Sequence, residues 1–181
     1  MKILIVGAGE VGFHIASRLS IENKDVVVID RDAQSLRRVA DHTDVQTVIG
    51  SGSSPLVLQE AGIQEAEIVL AVTDSDETNL VACMMTNILS PTTRKLARVR
   101  NADFDGYHGL FKEQPPFIDT IINPEIEVVN TIERLINVPG AIEVADLAEG
   151  KLKLVGIRLS EASPYARQKL SDLSEKFGGR L

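Results

Sequence analysis

The chain has 181 residues, a formal net charge of −7, 44% hydrophobic residues and 4% aromatic residues. This length suits one mid-sized domain, or one domain with a smaller unit. The acidic balance argues against a general nucleic-acid binder, which needs a basic face, and against direct attraction to anionic lipid. The single cysteine, Cys83, excludes a disulfide framework and a cysteine zinc site within the chain.

Short apolar runs rich in Val and Ile alternate with helix-like segments over the first 123 residues. The runs are ILIV (3–6), VVVI (26–29), VQTVI (45–49), EIVLAV (67–72), LARVR (96–100) and FIDTII (117–122). Alternation of this kind is typical of right-handed βαβ units in a parallel sheet. We therefore predict a Rossmann-like α/β domain over residues 1–123, a doubly wound parallel sheet with helices on both faces.

Local signals predict where several helices begin and end. Asp32 is the predicted N-cap of the second helix, and Ser54–Pro55 is the predicted start of the third, which Gly62 ends. Asp74 or Ser75 is expected to cap the fourth helix. These side chains accept hydrogen bonds from free helix N–H groups, whereas glycine adopts the left-handed backbone that ends a helix.

The pattern changes after residue 123. The stretch PEIEVVNTIERLINV carries apolar residues at helical spacing and predicts a crossover helix over 124–138. The residues that follow predict two strands joined at Glu149–Gly150, and Ser163–Pro164 predicts the start of a final helix. Since a hairpin and one helix make a thin unit, we expect 139–181 to be the start of a small α/β C-terminal subdomain, truncated here from a longer protein.

The glycine spacing at the first strand–helix junction is the main functional signal. Gly7-x-Gly9-x-x-Gly12 follows ILIV and opens an amphipathic helix, and the second strand ends in Asp30. In this pattern Gly7 permits a tight turn, Gly9 lets the backbone approach a pyrophosphate, and Gly12 lets the helix pack closely on the strand. The N–H groups and the dipole of the helix then face the phosphates. The alternative is a simple tight turn with Asp30 as a strand-end cap.

Asp30 bears on the choice of nucleotide. A carboxylate at this position accepts hydrogen bonds from the ribose hydroxyls of an adenosine and repels a 2′-phosphate. NAD(H) is therefore favoured over NADP(H). Arg31 weakens this preference, since its side chain would contact a phosphate if it turned inward.

Further strand ends are expected at the same crevice, because ligands of such sheets bind beyond the carboxyl ends of the strands. Gly50-Ser51-Gly52-Ser53 is small enough to admit an adenine or ribose edge, and Thr73–Asp74 follows the next strand. Arg98 and Arg100 share one face of the fifth strand, where an inward side chain would meet an anion. Ordinary loops and a surface-facing edge strand are the alternatives.

The rest of the chain gives no recognisable catalytic constellation. Tyr165-x-x-x-Lys169 matches the Tyr–Lys spacing of short-chain dehydrogenases, but the glycine pattern differs from theirs and Leu152 stands near the expected serine. The acidic run 74–77 lacks the ligand spacing of a calcium loop and suits a helix N-terminus. We therefore predict neither catalytic residues nor a metal site.

Several segments together resemble the family of Trk-type peripheral regulatory subunits of potassium uptake, whose NAD-binding domains are called RCK or KTN domains. The segments are ILIVGAGEVG, VVVIDRD, VIGSGSSPLVLQEAGI, AEIVLAVTDSDETNLVACMMT, LARVRN, INPE and LINVPGAIEVADLAEGKL. The stretches VTDSDETN and NPE to PGAIEV are far more specific than the glycine fingerprint. Full-length bacterial relatives usually carry two tandem units, so the chain resembles the first unit, cut inside its small subdomain.

The resemblance implies a non-enzymatic, cytoplasmic regulator that lies on the inner face of the cell membrane. Such subunits form dimers and rings on a potassium-translocating membrane subunit of the TrkH type, and binding of NAD(H), or of ATP or ADP, gates transport. Many relatives carry Asp where this chain has Ser51, so the contact at that loop differs here. The cofactor-binding residues expected from the glycine loop and the resemblance together are Gly7, Ala8, Gly9, Glu10, Val11, Gly12, Asp30, Ser51, Gly52, Thr73, Asp74 and Arg98.

Two other hypotheses remain at the level of the sequence. An NAD-dependent oxidoreductase would transfer hydride from bound NADH to a substrate and would need a titratable group beside the nicotinamide. A degenerate fold that serves only as an assembly scaffold would bind no adenine nucleotide.

Overall fold

The computed structural model describes residues 1–138, 140–148, 151–163, 165–166 and 168–169. The chain forms two compact units, one over Met1–Glu125 and the other from Ile126 onward. Within the described ranges, none of the helices has the length and apolar character needed to cross a membrane.

The first unit is built on a six-stranded sheet in which all neighbouring strands are parallel. Among the described residues, the strand order is β3-β2-β1-β4-β5-β6. This is the order of a doubly wound Rossmann sheet, so the predicted fold class is confirmed. The strands are β1 (Lys2–Val6), β2 (Asp25–Asp30), β3 (Gln46–Ile49), β4 (Ala66–Ala71), β5 (Arg94–Arg98) and β6 (Thr120–Ile122).

The last two strands differ from the prediction at their ends. β5 ends at Arg98 and not at residue 100, because the main-chain N–H of Arg100 donates to Asp76 (2.9 Å). β6 begins at Thr120 and not at residue 117, because Phe117 has a φ of 54°, which no strand residue adopts.

Helices cover both faces of the sheet because its side chains alternate between two apolar layers. Ile3 and Ile5 of β1 face one layer, which includes residues of α1 and α2, whereas Leu4 and Val6 face the other, which includes residues of α3 and α4. The layers consist mainly of Val, Ile, Leu and Ala, as the low aromatic content requires. The helices of this unit are α1 (Glu10–Ile21), α2 (Ala33–His42), α3 (Pro55–Glu60), α4 (Asp76–Leu89) and the short α5 (Leu110–Glu113).

The helix caps follow the local signals with one exception. The Asp32 carboxylate accepts N–H groups at the start of α2, and Gly62 adopts the left-handed conformation (φ 81°) just after α3. Ser75, not Asp74, caps α4, and its hydroxyl accepts the N–H of Thr78 at 3.1 Å. Ser54 occupies the N-cap position of α3, but its side chain makes no cap hydrogen bond within the described residues.

A helix and a hairpin follow the sheet in the chain. α6 runs over Pro124–Asn137, as predicted to within a residue. In the second unit, β7 (Ala141–Leu147) and β8 (Leu152–Ile157) form an antiparallel hairpin, which confirms the predicted pair of strands. The predicted junction at Glu149–Gly150 lies outside the described residues, as does most of the predicted final helix, over 164, 167 and 170–181.

Candidate functional site

The glycine loop joins β1 to α1 with the geometry that its sequence predicts. Gly7 has a φ of 111°, a conformation that residues with a side chain rarely adopt. Its main-chain N–H donates to the carbonyl of Ile29 at 2.8 Å, so the loop continues the pairing of β1 with β2 before it turns. Gly9 then occupies the N-cap position of α1. The turn therefore presents the N-terminus of a twelve-residue helix at the end of the central strand.

Gly12 is closely packed, whereas Gly9 borders open space. A Cβ at Gly12 would lie 1.8 Å from the carbonyl oxygen of Gly7, so only glycine lets α1 pack this closely on the loop. A Cβ at Gly9 would have no described heavy atom within 4 Å beyond its chain neighbours. Gly12 thus serves the packing of the fold, whereas Gly9 leaves open space in front of the helix N-terminus. A phosphate needs this kind of space, beside free N–H groups.

Asp30 stands at the end of β2 and is fixed by the main chain. One carboxylate oxygen accepts the N–H of Ala8 at 2.6 Å, and the other accepts the N–H of Asp32 at 2.8 Å. Because a carboxylate offers about four acceptor positions, both oxygens retain capacity for hydroxyl donors. The sequence did not predict that Asp30 also holds the glycine loop.

The loop after β3 meets a cation from the loop after β2 at the same end of the cleft. Arg31 donates from Nη2 to the hydroxyl of Ser51 at 2.7 Å, and that hydroxyl lies 2.8 Å from the hydroxyl of Ser53. The side chain of Arg31 is therefore turned inward, the orientation that the sequence left open. Many relatives were expected to carry an aspartate at position 51. This chain has Ser51 there, and the Arg31 guanidinium donates a hydrogen bond to its hydroxyl.

The loop after β4 is tied to β5 by Asn79, a fully buried residue of α4. Its side-chain oxygen accepts the N–H of Thr73 at 2.9 Å and the hydroxyl of Thr73 at 2.7 Å. Its amide group donates to the carbonyls of Thr73 (3.1 Å) and Arg98 (2.8 Å). Asn79 lies in the segment VTDSDETN, but its partners could not be predicted from the sequence, since they depend on the pairing of β4 with β5.

An ion pair occupies the β4–β5 end of the cleft. The Nη1 atom of Arg98 lies 3.3 Å from a carboxylate oxygen of Asp74; the side chain of Arg98 is 13% exposed and that of Asp74 is 97% exposed. Arg100 donates from Nη2 to the main-chain carbonyl of Asp74 at 2.7 Å. The Nε atoms of both arginines are buried and have no hydrogen-bond partner among the described residues. Both arginines that the sequence predicted to face an anion therefore contact Asp74.

Asp76 serves the fold next to this ion pair, although not as the helix cap that the acidic run suggested, since Ser75 caps α4. It is 8% exposed, and one carboxylate oxygen accepts the N–H groups of Arg100 (2.9 Å) and Asn101 (2.8 Å). Within the described residues, no group of three His, Cys, Asp or Glu side chains is placed to hold a metal ion.

Glu10 carries a negative charge at the first turn of α1, and Arg38 of α2 pairs with it. The two guanidinium nitrogens contact the two carboxylate oxygens, and the hydrogen bond from Arg38 lowers the pKa of Glu10. The guanidinium of Arg38 also lies over the ring of Phe13 at 4.2 Å. Arg38 thus neutralises an acid that would otherwise weaken the attraction of this helix end for an anion.

A cleft of about 500 Å³ connects these features along the carboxyl ends of β1 to β5. All the predicted binding residues line it except Ala8, which is buried, and Gly12, which packs under the loop. Arg31 and Gly50, which the sequence placed near the ligand without counting them as binding residues, also line it. The sequence did not identify the other lining residues, which are Val6, Ile29, Ser35, Val72, Ser75 and Thr78. A cleft of this volume has the size of small-molecule and cofactor sites.

The two residues of the Tyr–Lys motif are both described, and neither lies in a helix. Tyr165 lies in a turn, and Lys169 lies in no helix or strand. These two positions therefore do not match the helix on which the dehydrogenase motif depends.

Comparisons with known proteins agree with this geometry. The family model of the TrkA-N domain matches residues 3–124. The Trk system potassium uptake protein TrkA of Halomonas elongata is 40% identical over 173 residues, which are 96% of this chain and 38% of that protein. A relative of the same name from Vibrio alginolyticus is 41% identical over 176 residues, 97% of this chain and 38% of that protein. The chain thus spans well under half the length of these curated relatives.

Solved structures share the fold at low sequence identity. The TrkA-N domain of the inner membrane protein ybaL from Escherichia coli has a TM-score of 0.63 and 19% identity, over 73% of this chain and 93% of that chain. The GsuK channel bound to NAD has a TM-score of 0.64 and 18% identity, over 82% of this chain and 25% of that chain. These likenesses concern the fold alone.

Proposed function

The chain belongs to the TrkA-N domain family, and we propose that it is a regulatory module, not an enzyme, that binds NAD(H) to control potassium uptake. Its curated relatives are potassium uptake proteins by name. One observation carries the proposal: a single cleft contains a free helix N-terminus above Gly9, a ribose-type acid at Asp30 and a partly buried guanidinium at Arg98.

The proposed ligand lies along the cleft from β3 to β5. Its pyrophosphate takes hydrogen bonds from N–H groups at the start of α1, where Gly9 leaves room. Its adenosine ribose donates to the carboxylate of Asp30, and its adenine lies near Ser51 and Gly52. Thr73, Asp74 and Arg98 border the part of the ligand beyond the pyrophosphate. The GsuK channel, which contains a region of this fold, was solved bound to NAD, and this supports the proposal.

The proposed mechanism is thermodynamic linkage. A ligand that binds one conformation more tightly shifts the assembly toward that conformation by no more than its difference in affinity. The change would pass from the nucleotide domain (1–123) through the crossover helix (124–138) to the small subdomain (139–181). The partners are a second copy of the chain, in a dimer or ring, and a potassium-translocating subunit on the inner face of the membrane.

Calorimetric titration tests the binding step. Native protein, Asp30→Asn and the control Asp41→Asn, an exposed acid of α2 outside the cleft, are titrated with NADH, NAD⁺, NADPH, ATP and ADP. We expect NADH to bind the native protein and the control equally, and to bind Asp30→Asn at least tenfold more weakly. Equal affinity for all three proteins would refute the ribose contact, and absence of any nucleotide binding would refute the proposed function.

Turnover and transport measurements test the regulatory role. NADH fluorescence should stay constant over time at saturation, since no residue near the cleft is assigned to hydride transfer. In cells that lack their own potassium-uptake regulator, the full-length protein should restore growth at low potassium, and its Asp30→Asn variant should change the potassium dependence. Oxidation of NADH by the purified chain would instead support the oxidoreductase hypothesis.

A further inference from the structure

The arginines at the two ends of the cleft have partners of different charge. At the Asp30 end, the guanidinium of Arg31 is hydrogen bonded to a neutral hydroxyl, that of Ser51. At the β4–β5 end, the guanidinium of Arg98 is paired with the carboxylate of Asp74 at 3.3 Å. The cation that is best placed to attract an anion beyond the helix N-terminus is therefore already neutralised by a side chain of the protein.

The position of Asp74 is set by the main chain. Arg100 holds the Asp74 carbonyl at 2.7 Å, and the preceding residue, Thr73, is fixed by its hydrogen bonds to buried Asn79. The carboxylate itself is 97% exposed and borders the cleft. No helix cap depends on it, because Ser75 caps α4. The Asp74 side chain can thus be changed with little effect on the fold.

The strand order decides which part of a ligand meets this pair. β2, which ends in Asp30, and β4, which precedes Asp74, lie on opposite sides of β1. A nucleotide with its ribose on Asp30 and its phosphates at the glycine loop therefore directs its next group toward Asp74 and Arg98. In NAD(H) that group is a nicotinamide riboside without negative charge. In ATP it is the γ-phosphate, which carries the highest negative charge of the molecule. ADP has no group beyond its pyrophosphate, but its terminal phosphate is not esterified and keeps an additional charge there.

We propose that Asp74 sets the charge selectivity of the cleft. By pairing with Arg98 it disfavours nucleotides that end in a free phosphate and favours dinucleotides whose phosphates are both esterified. The inference rests on the proposed function, and it assigns to a predicted binding residue the role of repelling one class of ligand. Selectivity of this kind often depends on a repulsive element as much as on an attractive one.

The proposal is tested with Asp74→Asn, which keeps the shape of the side chain and removes its charge. The matched control is Glu77→Gln, because Glu77 is an exposed acid at the same end of α4 that does not line the cleft. Each protein is titrated calorimetrically with NADH, ADP and ATP at low salt, and its melting temperature is measured. Arg98→Gln serves as the reciprocal variant.

We expect Asp74→Asn to raise the ratio of ATP affinity to NADH affinity by about three- to tenfold, the effect of removing one like charge at several ångströms in a partly aqueous cleft. The ratio of ADP affinity to NADH affinity should rise by less, and Glu77→Gln should leave both ratios unchanged. Arg98→Gln should move the ratio of ATP affinity to NADH affinity in the opposite direction, since it leaves Asp74 without its counter-ion.

Two results would overturn the inference while the proposed function stands. One is an equal gain in affinity for NADH and for ATP in Asp74→Asn. The other is a shift of the ratio of ATP affinity to NADH affinity in Glu77→Gln that equals the shift in Asp74→Asn. Either result would indicate a general charge effect. If native protein binds none of the nucleotides, the proposed function and the inference fail together.

Discussion

Alanine substitutions at Gly9 and Gly12 should separate ligand binding from folding. At Gly12 the new Cβ would lie 1.8 Å from the Gly7 carbonyl oxygen, well inside a normal contact, so α1 must move away from the loop. Overpacking of this kind costs about 3 kcal/mol, which lowers the melting temperature of a chain of this size by about 6–12 °C. At Gly9 the Cβ meets no described atom within 4 Å, and the backbone (φ −65°, ψ −171°) is open to alanine.

Gly9→Ala should therefore keep or slightly raise the melting temperature, since alanine restricts the unfolded chain and stabilises by about 0.4–1 kcal/mol. Its methyl group occupies the space proposed for the pyrophosphate, so NADH affinity should fall at least tenfold. Differential scanning fluorimetry measures the first effect and calorimetry the second. Native-like NADH affinity in Gly9→Ala would refute the placement of the phosphates, and a native melting temperature in Gly12→Ala would refute the packing argument.

Three further substitutions or measurements follow from the described contacts. Asn79→Ala leaves buried groups of Thr73 and Arg98 without partners and should destabilise the fold by about 2–4 kcal/mol in urea titrations; an unchanged midpoint would show that water replaces the amide. Hydrogen bonds from Ser35, through its hydroxyl and its N–H, lower the pKa of Asp32 from the usual 3.8. The stabilisation by Asp32 is therefore present above that value and is lost as the pH falls through the lower native pKa. The melting temperatures of native protein and Asp32→Asn should then converge in acid. A difference in melting temperature that persists below pH ~2 would contradict this. Burial raises the pKa of Cys83 to about 12, so a thiol reagent at neutral pH should modify it only after unfolding, and rapid labelling of native protein would contradict its burial.

Sequence patterns predict the fold well because the relevant signals are local. The β-branched runs, Asp32 as a cap and the spacing from Gly7 to Gly12 each act over a few residues, and the structure places them as predicted. The errors at β5 and β6 come from contacts outside the strands. Arg100 finds Asp76 in α4 as a partner, and the backbone of Phe117 turns away from the extended form.

The site was predicted in its outline but not in its internal bonds. The carboxyl ends of parallel strands meet at one edge, which explains why Asp30 and Arg98 line the same cleft. The inward turn of Arg31, the four hydrogen bonds of Asn79 and the pairing of Arg98 with Asp74 depend on which loops become neighbours. That arrangement follows from sheet order and register, which single residues do not encode.

The hydrogen bond between Asp30 and Ala8 limits how the ligand preference of this chain can be redesigned. A change of preference toward NADP(H) usually begins by replacing the acid at the end of the second strand. Here the same replacement would release the N–H of Ala8 and loosen the glycine loop. A redesign should therefore keep Asp30 and alter Arg31 or Ser51 at the same end of the cleft, where a basic side chain already points inward.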